Sequence, residues 1–484
     1  MKDYMTIYKE WLENPYFDEA TKEELRAIEG DENEIKERFY MDLEFGTAGL
    51  RGIIGAGINR MNIYTVRRAT QGLANYIIKQ GGAAKGVAIA FDSRHMSPEF
   101  AMEAAMTLAA NGIKAYKFES LRPTPELSFA VRELGCIAGI NITASHNPPE
   151  YNGYKVYWED GAQFTPPHDK GVTAEVLAIE DLSTVKTTTE EEALKSGKFQ
   201  VIGKEIDDKY IAQVKAQVVN QEAINRMQKD ITIVYTPLHG TGNIPARRVM
   251  KEIGFENVYV VPEQELPNGD FPTVSYPNPE AAEAFELGLK LAKEKNADLV
   301  LATDPDADRL GVYVKDSKTG EYHSLTGNMS GCLIGAYEIS QRKEKQGLPA
   351  DGAFVHATVR GDLGQGLFLK IKGNKGLPLQ GRQLLLHHPL HPLQLHLPGQ
   401  PGAEVALIQY IFHSGSTPCR SSGPSAPPVR SFGSAWGSVP QCGAYSARFP
   451  PGLPLLPAAA EAPAAAVAGG RRLPRSTRSA LPAS

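Results

Sequence analysis

Apolar and polar positions alternate along the first three-quarters of the chain with two different periods. Residues 1–40 are rich in Glu and Lys, with Tyr8, Trp11 and Leu12 at helical spacing, which predicts an amphipathic helical lead-in. Residues 87–92 (V-A-I-A-F-D) predict a strand. Ser97-Pro98-Glu99 then carries a helix start, with serine as N-cap, proline at the first helical position and an acid in the first turn. Asn111-Gly112 supplies the stop, and 114–118 is the next strand. A strand, helix and strand of this length form a βαβ unit, so the pattern predicts an α/β domain with parallel pairing. Residues 136–143 (C-I-A-G-I-N-I-T) predict a buried strand that breaks off at Ala144-Ser145-His146-Asn147-Pro148-Pro149, where two prolines end regular pairing. Asn152-Gly153 reads as a turn, with a second strand beginning at about Tyr154. Residues 183–200 are polar and weakly patterned, which suits a domain junction. Residues 231–235 (I-T-I-V-Y) and 298–303 (D-L-V-L-A-T) predict buried strands. Between them Asn278-Pro279-Glu280 opens a helix that places Ala282, Phe285, Leu289 and Ala292 on one face.

The pattern stops beyond about Lys372. Half of the 34 prolines lie from Pro378 onward, and no period there could bury a face. A histidine cluster at 387–396 is interrupted by proline, which prevents a fixed metal-binding face. Charge divides at the same place. From Leu377 there are eight Arg, two Glu, no Lys and no Asp, a net of +6 against −11 for the rest. An acidic body argues against nucleic acid as a partner. The four cysteines, Cys136, Cys332, Cys419 and Cys442, are too far apart for a zinc motif and demand no disulfides. The charged N-terminus and the lack of a long apolar run predict a cytoplasmic protein with no membrane partner.

Three loops carry candidate chemistry. Ser145 sits on a stiff loop at a strand end, with His146 beside it and Lys155 ten residues on, which suits a preorganised nucleophile and equally an ordinary turn. Asp304-Pro305-Asp306-Ala307-Asp308-Arg309 follows a strand, and its alternate carboxylates can converge on a hard cation. It is not an EF-hand, because position six is Arg309, position twelve is Lys315 and the flanks are strands. Gly46-Thr47-Ala48-Gly49-Leu50-Arg51-Gly52 lets backbone approach a ligand but lacks the dinucleotide-binding spacing. Asp92-Ser93-Arg94 at a strand end reads as a loop-ordering pair, and His239 in Thr236-Pro237-Leu238-His239-Gly240-Thr241-Gly242 as hydrogen-bonded scaffold.

T-A-S-H-N-P followed by N-G-Y-K resembles the phosphoserine loop of the α-D-phosphohexomutases. D-P-D-A-D-R-L resembles their metal loop, G-T-A-G-L-R-G their N-terminal active-site loop, and D-S-R a further motif. The resemblance covers roughly residues 1–370 and implies consecutive α/β domains with mixed, mostly parallel sheets around a central cleft. The boundaries it suggests are a helical lead at 1–40, a phosphoserine domain at 41–195, a metal domain at 196–325 and a partial third domain at 326–372. That third domain opens at Leu325-Thr326-Gly327 and follows the family pattern to about 361–364, ahead of an irregular or disordered tail at 373–484. The implied function is interconversion of glucose 1-phosphate and glucose 6-phosphate through a phosphoserine and a bisphosphate intermediate. Mannose or pentose phosphates are the alternative substrates, and a non-catalytic protein that binds cation and phosphosugar is the alternative of another class.

The resemblance also implies roles. Ser145 carries the phosphoryl group, and with Asp304, Asp306 and Asp308 it holds Mg²⁺. Lys155 is the general acid or base, its pKa lowered by burial near Arg51 and the cation, and His146 is the second candidate. Arg51 joins Lys155 in stabilising the charge on the group in transfer, Thr47, Arg51, Ser145, His146, Lys155, Asp308 and Arg309 contact substrate, and glucose 1,6-bisphosphate is the expected activator. The family's sugar loop and phosphate clamp find no match in the sequence, so weak or absent mutase turnover is expected of this chain as it stands, through a reading-frame change or an unrelated extension.

Overall fold

The computed structural model describes residues 3–46 and 49–345, and the backbone of two short strands at 353–356 and 367–370. Thr47, residues 361–364 and everything from 373 onward, including the histidine cluster, Cys419 and Cys442, lie outside the described residues. The lead-in is three short helices, Tyr4–Glu13, Glu19–Ala27 and Glu32–Phe39. Asp18 and Asp31 cap the second and third by accepting the N–H groups of Thr21 and Glu34. Their apolar sides close over an aromatic cluster in which Trp11 stacks on Phe17 at 4.1 Å and meets Phe39 and Tyr64 edge-on. Tyr64 belongs to the helix Ile63–Lys79, so this cluster pins the lead-in to the first α/β layer.

The first sheet has six strands: β1 (Leu50–Ile53), β2 (Val87–Phe91), β3 (Ala115–Phe118), β4 (Ala138–Ile142), β5 (Tyr151–Trp158) and β6 (Phe199–Ile202). Their order is β1-β5-β4-β2-β3-β6, with β4, β2, β3 and β6 parallel and β5 antiparallel to both its neighbours. Every residue of β2 and β4 is buried, as a parallel sheet covered on both faces requires. The second sheet contains β7 (Thr232–Thr236), β8 (Asn257–Val260), β9 (Leu299–Thr303), β10 (Leu310–Lys315) and β11 (Tyr322–Leu325), in the order β11-β10-β9-β7-β8. It is parallel on the β9-β7-β8 side and antiparallel on the other. Strands β12 (Ala353–His356) and β13 (Leu367–Lys370) pair antiparallel, and the helix Gly327–Lys345 precedes them where a further unit was expected to open. Among the described residues no helix is long and apolar enough to cross a membrane.

Four local expectations change. Asn152-Gly153 is no turn; both residues lie inside β5, paired with β1. Glycine is needed there because a Cβ at 153 would stand 2.5 Å from the Thr143 carbonyl oxygen and 2.9 Å from that of Leu50. The residue capping the helix Ser97–Ala110 is Met96, in the left-handed region at φ 62°, while the Ser97 hydroxyl is buried and donates to Asp92 Oδ1 at 2.9 Å. The stretch at 183–200 is polar because it carries a surface crossover with the short helix Glu190–Lys195, and β6 beyond it still belongs to the first sheet. The helix read from Asn278 onward starts later, as a 3₁₀ turn Ala282–Phe285 leading into Glu286–Lys295.

Candidate active site

The loop after β4 and the loop after β9 meet. Ser145 is 3% exposed and sits at φ 54°, a left-handed conformation that costs a residue with a Cβ about 1–3 kcal/mol and persists only where its surroundings enforce it. Two groups enforce it. The Ser145 N–H donates to Thr143 Oγ1 at 2.8 Å. The Arg94 guanidinium, 1% exposed, donates to the carbonyls of Ser145 at 2.8 Å, Pro148 at 2.7 Å, Tyr151 at 3.0 Å and also Asn147. Arg94 is itself held by Asp92 at 3.5 Å and lies over the Phe271 ring of the second layer at 5.0 Å. Asp92-Ser93-Arg94 therefore does order a loop, and that loop carries Ser145.

On the facing side Asp304 and Asp306 are fully buried, and Asp308 is partly exposed. Asp304 Oδ1 accepts the N–H groups of Asp308 and Arg309, both at 3.1 Å, which folds the chain back on itself through Ala307 at φ 50°. The neighbouring loop supports this turn. Thr241 N–H donates to Pro305 O at 2.8 Å, and His239, bonded to Leu266 O and Thr273 Oγ1, is the scaffold its position suggested. One oxygen from each aspartate lies within 4.8 Å of the others. The Ser145 hydroxyl donates to Asp304 Oδ2 at 2.7 Å, and His146 Nδ1 stands 3.2 Å from the same Oγ. Lys155 on β5, 6% exposed, donates to Asp306 Oδ2 at 2.7 Å and to Asp308 Oδ2 at 3.2 Å.

The electrostatics follow from burial and crowding. Burial, with Asp306 and Asp308 alongside, pushes the Asp304 carboxyl well above the usual carboxylate range. Burial would raise Asp306 too, but the Lys155 ammonium outweighs it and holds Asp306 below that range. Lys155 moves opposite to the expectation from sequence. Burial acts to lower it, yet Asp306 and Asp308 more than offset that and raise it, so Lys155 stays an ammonium. His146 is lowered to about 4 by burial and by the nearby Arg309 and Arg51, so its imidazole is neutral at pH 7. Arg51 is exposed on β1 and donates to Asn147 Oδ1 at 3.0 Å. Ser145, His146, Lys155, Arg51, Asp304, Asp306, Asp308 and Arg309 are thus in one place.

The three aspartates fit a hard divalent cation. Their donor atoms are carboxylate oxygens, one lysine cannot neutralise all three, and the buried Asp306 Oδ1 has no hydrogen-bond partner. Two contributors escaped the sequence reading. Thr124 Oγ1 donates to Asp306 Oδ2 at 2.8 Å, and Asn141 Nδ2 donates to Thr124 Oγ1 at 2.6 Å. The one visible signal was the proline-flanked threonine in Arg122-Pro123-Thr124-Pro125 at a helix start.

Residues 42–183 match the family description "Phosphoglucomutase/phosphomannomutase, alpha/beta/alpha domain I" and residues 208–320 the corresponding domain II. A phosphopentomutase of Pongo abelii is 39% identical over 346 residues, covering 69% of this chain and 55% of that protein. A phosphoglucomutase of Staphylococcus saprophyticus is 38% identical over 331 residues, covering 67% of this chain and 57% of that protein. The chain spans little more than half the length of these curated relatives. A crystal structure from Thermus thermophilus superposes with a TM-score of 0.51 at 24% identity, over 62% of each chain, and shares the fold.

Proposed function

This chain belongs to the phosphoglucomutase/phosphomannomutase family, and on that premise we propose that it moves a phosphoryl group between two hydroxyls of a sugar phosphate by way of Ser145. PhosphoSer145 gives its phosphoryl group to the free hydroxyl of a sugar monophosphate. The serine O–P bond breaks, a sugar O–P bond forms, and the sugar hydroxyl's proton leaves to a base. The bisphosphate turns round and returns its other phosphoryl group to Ser145. A Mg²⁺ ion held by Asp304, Asp306, Asp308 and a phosphoserine oxygen would neutralise charge on the group in transfer. Lys155, kept as an ammonium, stabilises that charge and serves as the general acid. The neutral His146 imidazole, 3.2 Å from Ser145 Oγ, is the second proton carrier. Arg51 and Arg309, both exposed, bind the anionic substrate at the mouth of the site, together with Asp308. The observation that carries the reading is the 2.7 Å hydrogen bond from Ser145 Oγ to Asp304 Oδ2, which joins the nucleophile to the acidic cage.

Glucose 1-phosphate is the substrate of first choice, with glucose 1,6-bisphosphate as activator. The 39% identity to a phosphopentomutase supports a pentose phosphate as a second reading. Turnover of glucose 1-phosphate, mannose 1-phosphate and ribose 1-phosphate, measured with Mg²⁺ and trace glucose 1,6-bisphosphate, separates them. Weak turnover is expected, with the highest kcat/KM on glucose 1-phosphate. A higher value on the ribose ester replaces the first reading with the second. Binding of sugar phosphate without turnover or phosphorylation of Ser145 would make the chain a binding protein.

A further inference from the structure

One residue of the first layer grips the acidic loop at two points. Thr124 is the first residue of the helix Thr124–Glu133 and follows Pro123. A helix's first N–H groups have no partner inside the helix, and this one donates across to the Asp306 carbonyl at 2.9 Å. The side chain donates to the same residue's carboxylate, at Oδ2, from 182 positions away in the chain. Thr124 is itself fixed from both flanks. Asn141 on β4 donates to its hydroxyl, and Arg122 forms a two-pronged ion pair with Asp207 at 2.7 and 2.9 Å, tying the segment to the helix Lys204–Lys215.

The direction of these bonds is determined. The Thr124 hydroxyl has one proton, which it gives to Asp306 Oδ2, and its oxygen accepts from the Asn141 N–H₂. Asp306 Oδ2 then receives two donors, Thr124 and Lys155, while Oδ1 receives none. The carboxylate is locked in rotation with one oxygen left over.

We infer that Thr124 is a positioning residue that orients Asp306 so that its free Oδ1 is presented to a divalent cation shared with Asp304 and Asp308. This rests on the cation site proposed above. Thr124 touches neither cation nor substrate and acts through Asp306, with Asn141 setting its hydroxyl. Partners behind a metal ligand are worth about 10–100-fold in metal affinity.

The test is Mn²⁺ binding to the full chain, followed by electron paramagnetic resonance and calorimetry, in the wild type, Thr124→Val, Thr124→Ala and Thr124→Ser. All variants keep the backbone N–H, so the comparison isolates the hydroxyl. Valine keeps the shape of threonine, and alanine gives the same comparison should valine not fold, as judged by circular dichroism. About 10-fold weaker Mn²⁺ binding is expected without the hydroxyl, with an altered bound-Mn²⁺ spectrum and recovery of both in Thr124→Ser. Affinities and spectra in Thr124→Val and Thr124→Ala equal to the wild type overturn the inference alone. A wild type that binds no Mn²⁺ overturns it together with the cation site.

Discussion

Replacing Arg94 with methionine is expected to destabilise the folded protein by about 3–5 kcal/mol, the usual cost of breaking a buried charge pair by removing one partner. The loss has two parts. Asp92, fully buried beside Arg94, is left without its counter-charge. The carbonyls of Ser145, Asn147, Pro148 and Tyr151 also lose a charged donor together. Those carbonyls belong to the loop that holds Ser145 at positive φ, so phosphorylation of Ser145 should fall as well. Arg94→Lys separates the two effects. It keeps a charge near Asp92 but cannot reach four acceptors with a planar fork. Urea unfolding should show Arg94→Lys more stable than Arg94→Met, while both take up far less phosphoryl group than the wild type. Wild-type uptake in Arg94→Lys would mean that the loop holds its shape without the guanidinium.

Lys155→Met tests the other loop. In the metal-free protein its ammonium is the charge that lets Asp306 stay ionised among buried carboxylates. Removing it should cost about 3 kcal/mol or more in EDTA, again as a broken buried pair. Mg²⁺ should restore stability to the variant more than to the wild type, because the cation takes over the neutralising charge and a ligand that binds only the folded state stabilises it. Phosphoryl transfer should remain down by about 10²–10⁴-fold even with Mg²⁺ present, if Lys155 serves as the acid. Equal unfolding midpoints for wild type and variant in EDTA would show that Lys155 does not balance the cage.

What could be read from the chain and what could not follows the reach of each interaction. Ser145 and the three aspartates stand in short contiguous runs whose chemistry is local, and the strands that deliver them are apolar runs of ordinary length. The aromatic residues of the lead-in lie at helical spacing, so their helices were visible although their packing on Tyr64 was not. Thr124 was hidden because its meaning depends on a residue 182 positions away. Gly153 resembled a turn glycine because Asn-Gly usually makes turns; only the crowding by Leu50 and Thr143 shows why a strand needs glycine there. Ser97 looked like a cap but faces inward to Asp92. The sign of the Lys155 shift was misjudged for the same reason. Burial is legible in a strand pattern, whereas two carboxylates from another domain motif at 2.7 and 3.2 Å are not.

The most direct measurement is the intact mass of the purified chain after incubation with glucose 1,6-bisphosphate and Mg²⁺, followed by peptide mapping. The account predicts one added phosphoryl group, mapped to Ser145, absent in Ser145→Ala and lost when EDTA replaces Mg²⁺. Undiminished uptake by Ser145→Ala, or by a variant with Asp304, Asp306 and Asp308 all changed to Asn, would contradict it.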